Sequence, residues 1–278
     1  MKELEPHEAK EIMLGILKYV TDFCNSNNIK YILSDGTLLG AVRHKGFIPW
    51  DMDIDISMLR NDYDKFIELW ENTESYTLLY PGIDKKYQLG FLKIVHNDTI
   101  AYENNRKTFY GGPWIDIFPL DAVPLENIDK HYVKILKFYD NYRFLFICGK
   151  RSSNKFIYFL RTLKQAIKTM NLKLVFCSPN KALKKLVTES TKFNSSKHIC
   201  VTNNMVIGRR TGRRKFGFNK DVVSNVMNGS FEGYNFKIPV HYDELLKSYY
   251  DDYMTLPPKE KQIDDHSARF FWNKKQSL

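Results

Sequence analysis

The residues best suited to chemistry in this 278-residue chain are three aspartates at alternate positions, Asp51, Asp53 and Asp55, in the run "PWDMDIDISM". Alternation with Met52, Ile54 and Ile56 is the period of a β-strand. A strand over 51–56 is therefore predicted, with apolar side chains entering the core and three carboxylates lining the other face. Aspartate is depleted in strands, and same-face neighbours two positions apart stand only about 7 Å from each other. Such repulsion calls for a counter-charge, and a divalent cation is the simplest. A sheet edge with one wet face is the alternative that needs no ligand.

Another carboxylate, Asp116, stands between Ile115 and Ile117 in "GGPWIDIFPLD". Alone it reads equally as a solvent-facing strand residue. An aspartate pair on one strand and a single aspartate on another can, however, hold two Mg²⁺ ions around a transferring phosphate. Such a clamp stabilises the attacking and leaving oxygens of an in-line displacement. Upstream, "SDGTLLGAVR" predicts a strand, a tight Gly36–Thr37 turn and a helix start. Free N–H groups at a helix start attract anions. The Thr37 hydroxyl could join them, and Arg43 could fork onto a phosphate. Arg43, His44 and Lys45 form a basic cluster that suits a donor pyrophosphate or a solvated turn. Lys93, the one charge in "GFLKIV", is either a phosphate ligand or a lysine snorkelling at a sheet edge. Trp50 and Trp114 can stack on a base or sit in the core.

The elements that must position these groups can be read from periodicity. Residues 6–25 predict a helix opened by Pro6, with apolar residues at helical spacing from Ile12 to Cys24. Short strands at 30–35, 76–80, 87–95, 99–103 and 113–120 alternate with helices at 37–44, closed by Gly46, and 61–73, capped by Asn61. From 126 to 192 the pattern is helical and strongly basic. A hairpin at 231–239 and a helix at 241–254 follow. The one division predicted lies near residue 125. Residues 1–125 then form an α/β core, and 126–278 a mainly helical basic region whose C-terminal motifs complete the site.

Composition restricts the classes further. The apolar fraction is 43%, enough for a sizeable core, and the net charge of +10 suits anionic partners. Four scattered cysteines, without C-x-x-C pairs, predict reduced thiols rather than disulfides or structural zinc. The N-terminus lacks the apolar stretch of a signal peptide, and no uncharged run is long enough to span a bilayer. The chain reads as cytoplasmic, with peripheral association at the inner face of the membrane open to its basic helices. No nucleic-acid recognition module is visible, so nucleic acid is not an expected partner.

The run "GTLLGAVRHKGFIPWDMDIDI", then "GFLKI", "WIDIFPLD" and "YYDDYMTLPPKEK" with a later His, resembles the LicD family of phosphotransferases, related to fukutin and fukutin-related protein. The likeness is specific over 31–121 and weaker over 229–266. It implies the nucleotidyltransferase fold, a mixed α/β (α+β) architecture with a small mixed sheet and flanking helices. It also implies Mg²⁺-dependent transfer of a phospho-alcohol, phosphocholine foremost, from a CDP-activated donor such as CDP-choline or a CDP-polyol. The acceptor implied is a hydroxyl of a cell-surface glycan, lipid-linked or free, such as a teichoic acid or lipopolysaccharide precursor. By that resemblance Gly36 and Thr37 match the glycine–hydroxyl turn. Asp53 and Asp55 match the metal pair, for Mg²⁺ or Mn²⁺. Asp116 is the third carboxylate, both metal ligand and general base, and Asp51 is the first acid of W-D-x-D-x-D. His266 matches the family's C-terminal histidine, either a donor contact alongside the candidates Arg43 and Lys93 or an ordinary surface histidine. Met52 replaces an aspartate usual in bacterial members. It lies on the opposite face of the predicted strand, so the metal site is untouched while the substrate is left open. A D-x-D nucleotide-sugar glycosyltransferase, or a nucleotidyltransferase releasing pyrophosphate, shares part of this pattern.

Overall fold

Pro6 opens the first helix, where its fixed φ and missing N–H do no harm. Glu8 accepts from the Glu5 N–H at 2.8 Å to complete a capping box. The structure, a computed structural model, describes residues 1–82, 87, 89–103, 106–108, 110–124, 126–151, 155–168, 177–195, 200–202, 218–263 and 268–273. In chain order the elements begin with α1 (Pro6–Ser26), β1 (Ile32–Leu33), α2 (Asp35–Arg43), β2 (Asp55–Leu59), α3 (Arg60–Leu69) and β3 (Tyr76–Leu79). Next are β4 (Leu92–His96), β5 (Thr99–Glu103), β6 (Arg106–Lys107), β7 (Trp114–Val123), α4 (Ile128–Arg151), α5 (Lys155–Lys168) and α6 (Pro179–Ser190). The remainder is β8 (Cys200–Thr202), β9 (Phe218–Asn219), α7 (Lys220–Ser224), β10 (Val226–Phe231), β11 (Tyr234–Pro239), α8 (Tyr242–Tyr250) and β12 (Ala268–Trp272).

Two compact units divide this chain. One is Met1–Leu79 with Leu92–Leu120 and Phe218–Leu278; the other is Tyr80–Phe91 with Asp121–Gly217. In the first, the main sheet runs β1-β2-β7-β4-β3, with β2 and β7 parallel and the remaining neighbours antiparallel. A smaller sheet, β12-β5-β6, and the β10–β11 hairpin accompany it. The apolar face of α1, carrying Met13, Ile16, Leu17, Val20 and Cys24, is buried to 1% exposure or less. Phe23 of α1 meets Phe66 and Trp70 edge to face, tying α3 to α1. This mixed α/β arrangement, a mixed sheet with flanking helices, is the predicted fold class.

Several boundaries differ from the sequence reading. The aspartate strand starts at Asp55, not at Asp51, because the Asp51 N–H closes a turn on the Ile48 carbonyl at 2.9 Å. Ile54 and Ile56 are nonetheless fully buried, and Met52 stays only half-buried. The second helix begins at Asp35, so Gly36 lies in its first turn rather than at the apex of a preceding turn. It ends through Lys45, whose φ of 61° takes the left-handed conformation expected of Gly46. The third helix stops at Leu69 instead of 73, and only 92–96 of the strand predicted at 87–95 is β4. The hairpin starts earlier than predicted, at Val226. Its two turn residues, Glu232 and Gly233, have φ of 50° and 77°, the signs a tight primed turn requires.

In the second unit, α4, α5 and α6 surround Ile135, Tyr142, Leu145, Ala166, Ala182 and Leu186, where the sequence predicted helices. The Tyr142 hydroxyl donates to the Tyr87 carbonyl at 3.3 Å. Strand β8 pairs with Asp121–Val123, and buried Asp121 accepts from the Asn194 amide at 2.9 Å. Among the described residues, no helix is long and apolar enough to cross a membrane.

Candidate active site

Three adjacent strands of the first unit place charge in a single row. Asp55 of β2 stands opposite Asp116 of β7, and Asp116 stands opposite Lys93 of β4. Directly opposed residues project from the same face of a sheet. Lys93 is only 3% exposed; its ammonium donates to Asp116 Oδ1 at 2.5 Å and lies 4.2 Å from the centre of the Trp114 ring. Of the two roles open to this lysine in the sequence, edge snorkelling is excluded by its burial, and its amine is already engaged by a carboxylate.

The first turn of α2 meets this row at Asp55. Thr37 is buried, and its Oγ1 accepts the Asp55 N–H at 2.8 Å. The hydroxyl predicted to join an anion site thus fixes the start of β2. Gly36 is needed for close approach, since a Cβ added there would fall 2.5 Å from Asp51 Oδ2. Asp35 has φ of 48°, an uncommon conformation for a residue with a side chain and one that concentrates at functional sites.

Electrostatics show how crowded these acids are. Burial pushes the Asp55 carboxyl well above the usual range, and Asp53, Asp35, Asp116 and Asp51 push it further. Burial and then the charge of Asp53 raise Asp35 to about 6. The phenol of Tyr250, at the end of α8, is also raised, first by burial and then by Asp35 and Asp55. Asp35 and Tyr250 were not singled out from sequence. Both sit inside motifs quoted for other residues, "SDGT" and "YYDDY", and only the folded chain brings them to the aspartates.

The remaining predicted residues are placed less centrally. Arg43, at the far end of α2, donates from Nη1 to the Tyr253 carbonyl at 2.7 Å. That bond ties the helix to the segment after α8. Lys45 and Phe47 are held by the hairpin turn: the Glu232 N–H donates to the Lys45 carbonyl, and Glu232 Oε1 accepts the Phe47 N–H, each at 2.9 Å. This fixes the loop leading to Asp51. Trp114 is buried against Tyr110 and Phe270, a core position, while Trp50 is half-buried beside His44. His266 lies outside the described residues.

Among the described residues, no three His, Cys, Asp or Glu side chains converge into a ready-made metal cage. The aspartates repel one another without taking up closed coordination. The groups these acids offer are carboxylate oxygens, hard donors of the type that Mg²⁺ accepts.

Comparison with known proteins agrees with this architecture. Residues 28–147 match the family model described as LicD/FKTN/FKRP, nucleotidyltransferase domain. The lipopolysaccharide cholinephosphotransferase LicD of Haemophilus influenzae is 34% identical over 272 residues, covering 96% of this chain and 97% of that protein. An uncharacterised protein of Rickettsia prowazekii is 49% identical over 88 residues, 30% of this chain and 33% of its own. Human ribitol 5-phosphate transferase FKRP is 40% identical over 45 residues, 16% of this chain and 9% of its own. A likeness that runs the length of both chains, with the acids on the matched segment, means that this chain belongs to the LicD family of phosphotransferases.

Proposed function

We propose that the protein transfers a phospho-alcohol, phosphocholine foremost, from a CDP-activated donor to a hydroxyl of a cell-surface glycan precursor. The observation that carries this reading is the meeting of acids at the first turn of α2: Asp51 packs against Gly36, and Asp55, bonded to Thr37, stands opposite Asp116. Carboxylates held this close in water-poor surroundings repel one another until a cation and its ligands balance them. The activities named for two relatives, cholinephosphotransferase and ribitol 5-phosphate transferase, support a phospho-alcohol as the group moved.

Asp53 and Asp55 are the residues that would hold Mg²⁺, or Mn²⁺ in its place, with Asp51 and Asp116 beside them. Bound there, the ion supplies positive charge to the phosphate being transferred. The chain's own part is to orient. Gly36 leaves room at the helix start, where backbone N–H groups favour phosphate oxygens. Thr37 holds Asp55 in register with Asp116, and Lys93 holds Asp116 in place. The acceptor hydroxyl must lose a proton as it attacks. Asp116, held in place by Lys93, is the carboxylate proposed to take it.

Incubation with CDP-choline, CDP-glycerol or CDP-ribitol and Mg²⁺ tests the reading. Release of CMP with one of these donors is expected. Release of pyrophosphate from a nucleoside triphosphate, without CMP from any of the three, would assign nucleotidyl transfer instead.

A further inference from the structure

The second unit carries a surface that the proposed chemistry does not use. Residues 121–217 contain 21 lysines and arginines against five acids, whereas the rest of the chain has 21 against 27. The whole positive excess of the protein therefore resides in this segment. Within it, α5 is divided lengthwise into three lines. Tyr158, Thr162 and Ala166, each four residues apart, form the inward line; Thr162 and Ala166 are fully buried and Tyr158 packs on the helical core. Beside it runs an apolar line that remains in solvent: Phe156 is 66% exposed, Phe159 43%, Leu160 46% and Ile167 64%. On the outer flank lie Arg161 and Lys164, both exposed, with Ile157, 42% exposed, between them.

A globular surface rarely places four large apolar side chains together in water without an occupant. Cations flanking that line select an anionic one. The combination of Phe, Leu and Ile with a basic flank on a helix too short to span a bilayer is that of a helix lying in the membrane interface. Nucleic acid would satisfy the cations and leave the apolar line wet. We infer that the exposed face of α5 docks this protein on an anionic lipid surface, with Phe156, Phe159, Leu160 and Ile167 entering the headgroup boundary and Arg161 and Lys164 meeting acidic headgroups. The inference stands apart from the identity of the transferred group.

Flotation of the full-length protein with phosphatidylglycerol-containing vesicles and with neutral phosphatidylcholine vesicles tests it. At about 0.05 M salt the protein should float with the anionic vesicles, and at about 0.5 M salt that fraction should fall at least about fivefold through screening. Phe159→Ser with Leu160→Ser should lower the low-salt fraction by at least about tenfold. Arg161→Glu with Lys164→Glu should do the same by the electrostatic route. All four side chains are exposed, so unchanged melting temperatures are expected. Equal flotation with neutral vesicles, no flotation at low salt, or flotation indifferent to both double variants overturns the inference. So does a concentration-dependent dimer that the Phe159/Leu160 variant abolishes, because a second copy would then be the occupant.

Discussion

At the scale of single residues, the site depends on aspartates whose ionisation is opposed by the fold. Asp35 is raised to about 6 and Asp55 well above the usual range, each first by burial. The sign follows from linkage. An acid whose folded pKa is raised contributes stability that is fully present below its unfolded value, about 3.9, and lost as pH rises through the folded value. Without divalent cations the protein should therefore gain stability from Asp35→Asn at pH 8, about half as much at pH 5, and little near pH 4. Thermal melts of the two proteins at these pH values, in chelator, check this. Asp53→Asn and Asp55→Asn should each lower the transfer rate by at least about a hundredfold, the loss typical when charge stabilisation of a transferred phosphoryl group is removed. Single-turnover rates at saturating donor measure it. Lys93 behaves in the opposite sense. Its buried pairing with Asp116 means that Lys93→Met leaves a carboxylate without its partner, and a loss of about 3 kcal/mol in urea unfolding is expected.

At the scale of elements, the short helix α2 and the strand order do the positioning. Asp55, Asp116 and Lys93 are distant in sequence, and the parallel β2–β7 and antiparallel β7–β4 registers make them neighbours. The sequence supplied the acids and their alternation but not this row. Lys93 could be read as a phosphate ligand because a sequence carries no cross-strand register. The same limit explains the shifted boundaries: a turn closed by the Asp51 N–H outweighs the alternating pattern of 51–54. Asp35 and Tyr250 escaped notice for a related reason, since their significance comes from neighbours far along the chain. Gly36 gives an element-scale test. A methyl group there would displace the Asp51 carboxylate, and a displacement near 1 Å can lower rates by about a hundredfold. Gly36→Ala should therefore slow transfer by about one to two orders of magnitude in steady-state assays.

For the whole molecule, fold class and family were legible from short motifs, because Asp51, Asp53, Asp55 and the start of α2 lie within about twenty residues of each other. The path of the chain was not. The sequence offered one division near residue 125, at the end of β7; the first unit also takes in Phe218–Leu278, with β12 pairing to β5. No local pattern announces such a distant partner. The charge bias was legible as a total of +10, yet its meaning required knowing which helix faces stay exposed. Cation binding is a further whole-molecule test: at about a hundred times its dissociation constant, Mg²⁺ should stabilise the folded chain by about 2.7 kcal/mol, and should do so far less in Asp55→Asn. The most direct test of the central claim measures CMP release from CDP-choline, CDP-glycerol and CDP-ribitol by the purified protein, with Mg²⁺ and with excess EDTA. The account predicts CMP from at least one donor, abolished by EDTA and by Asp55→Asn. Undiminished CMP release in EDTA, or from the Asp55→Asn protein, would contradict it.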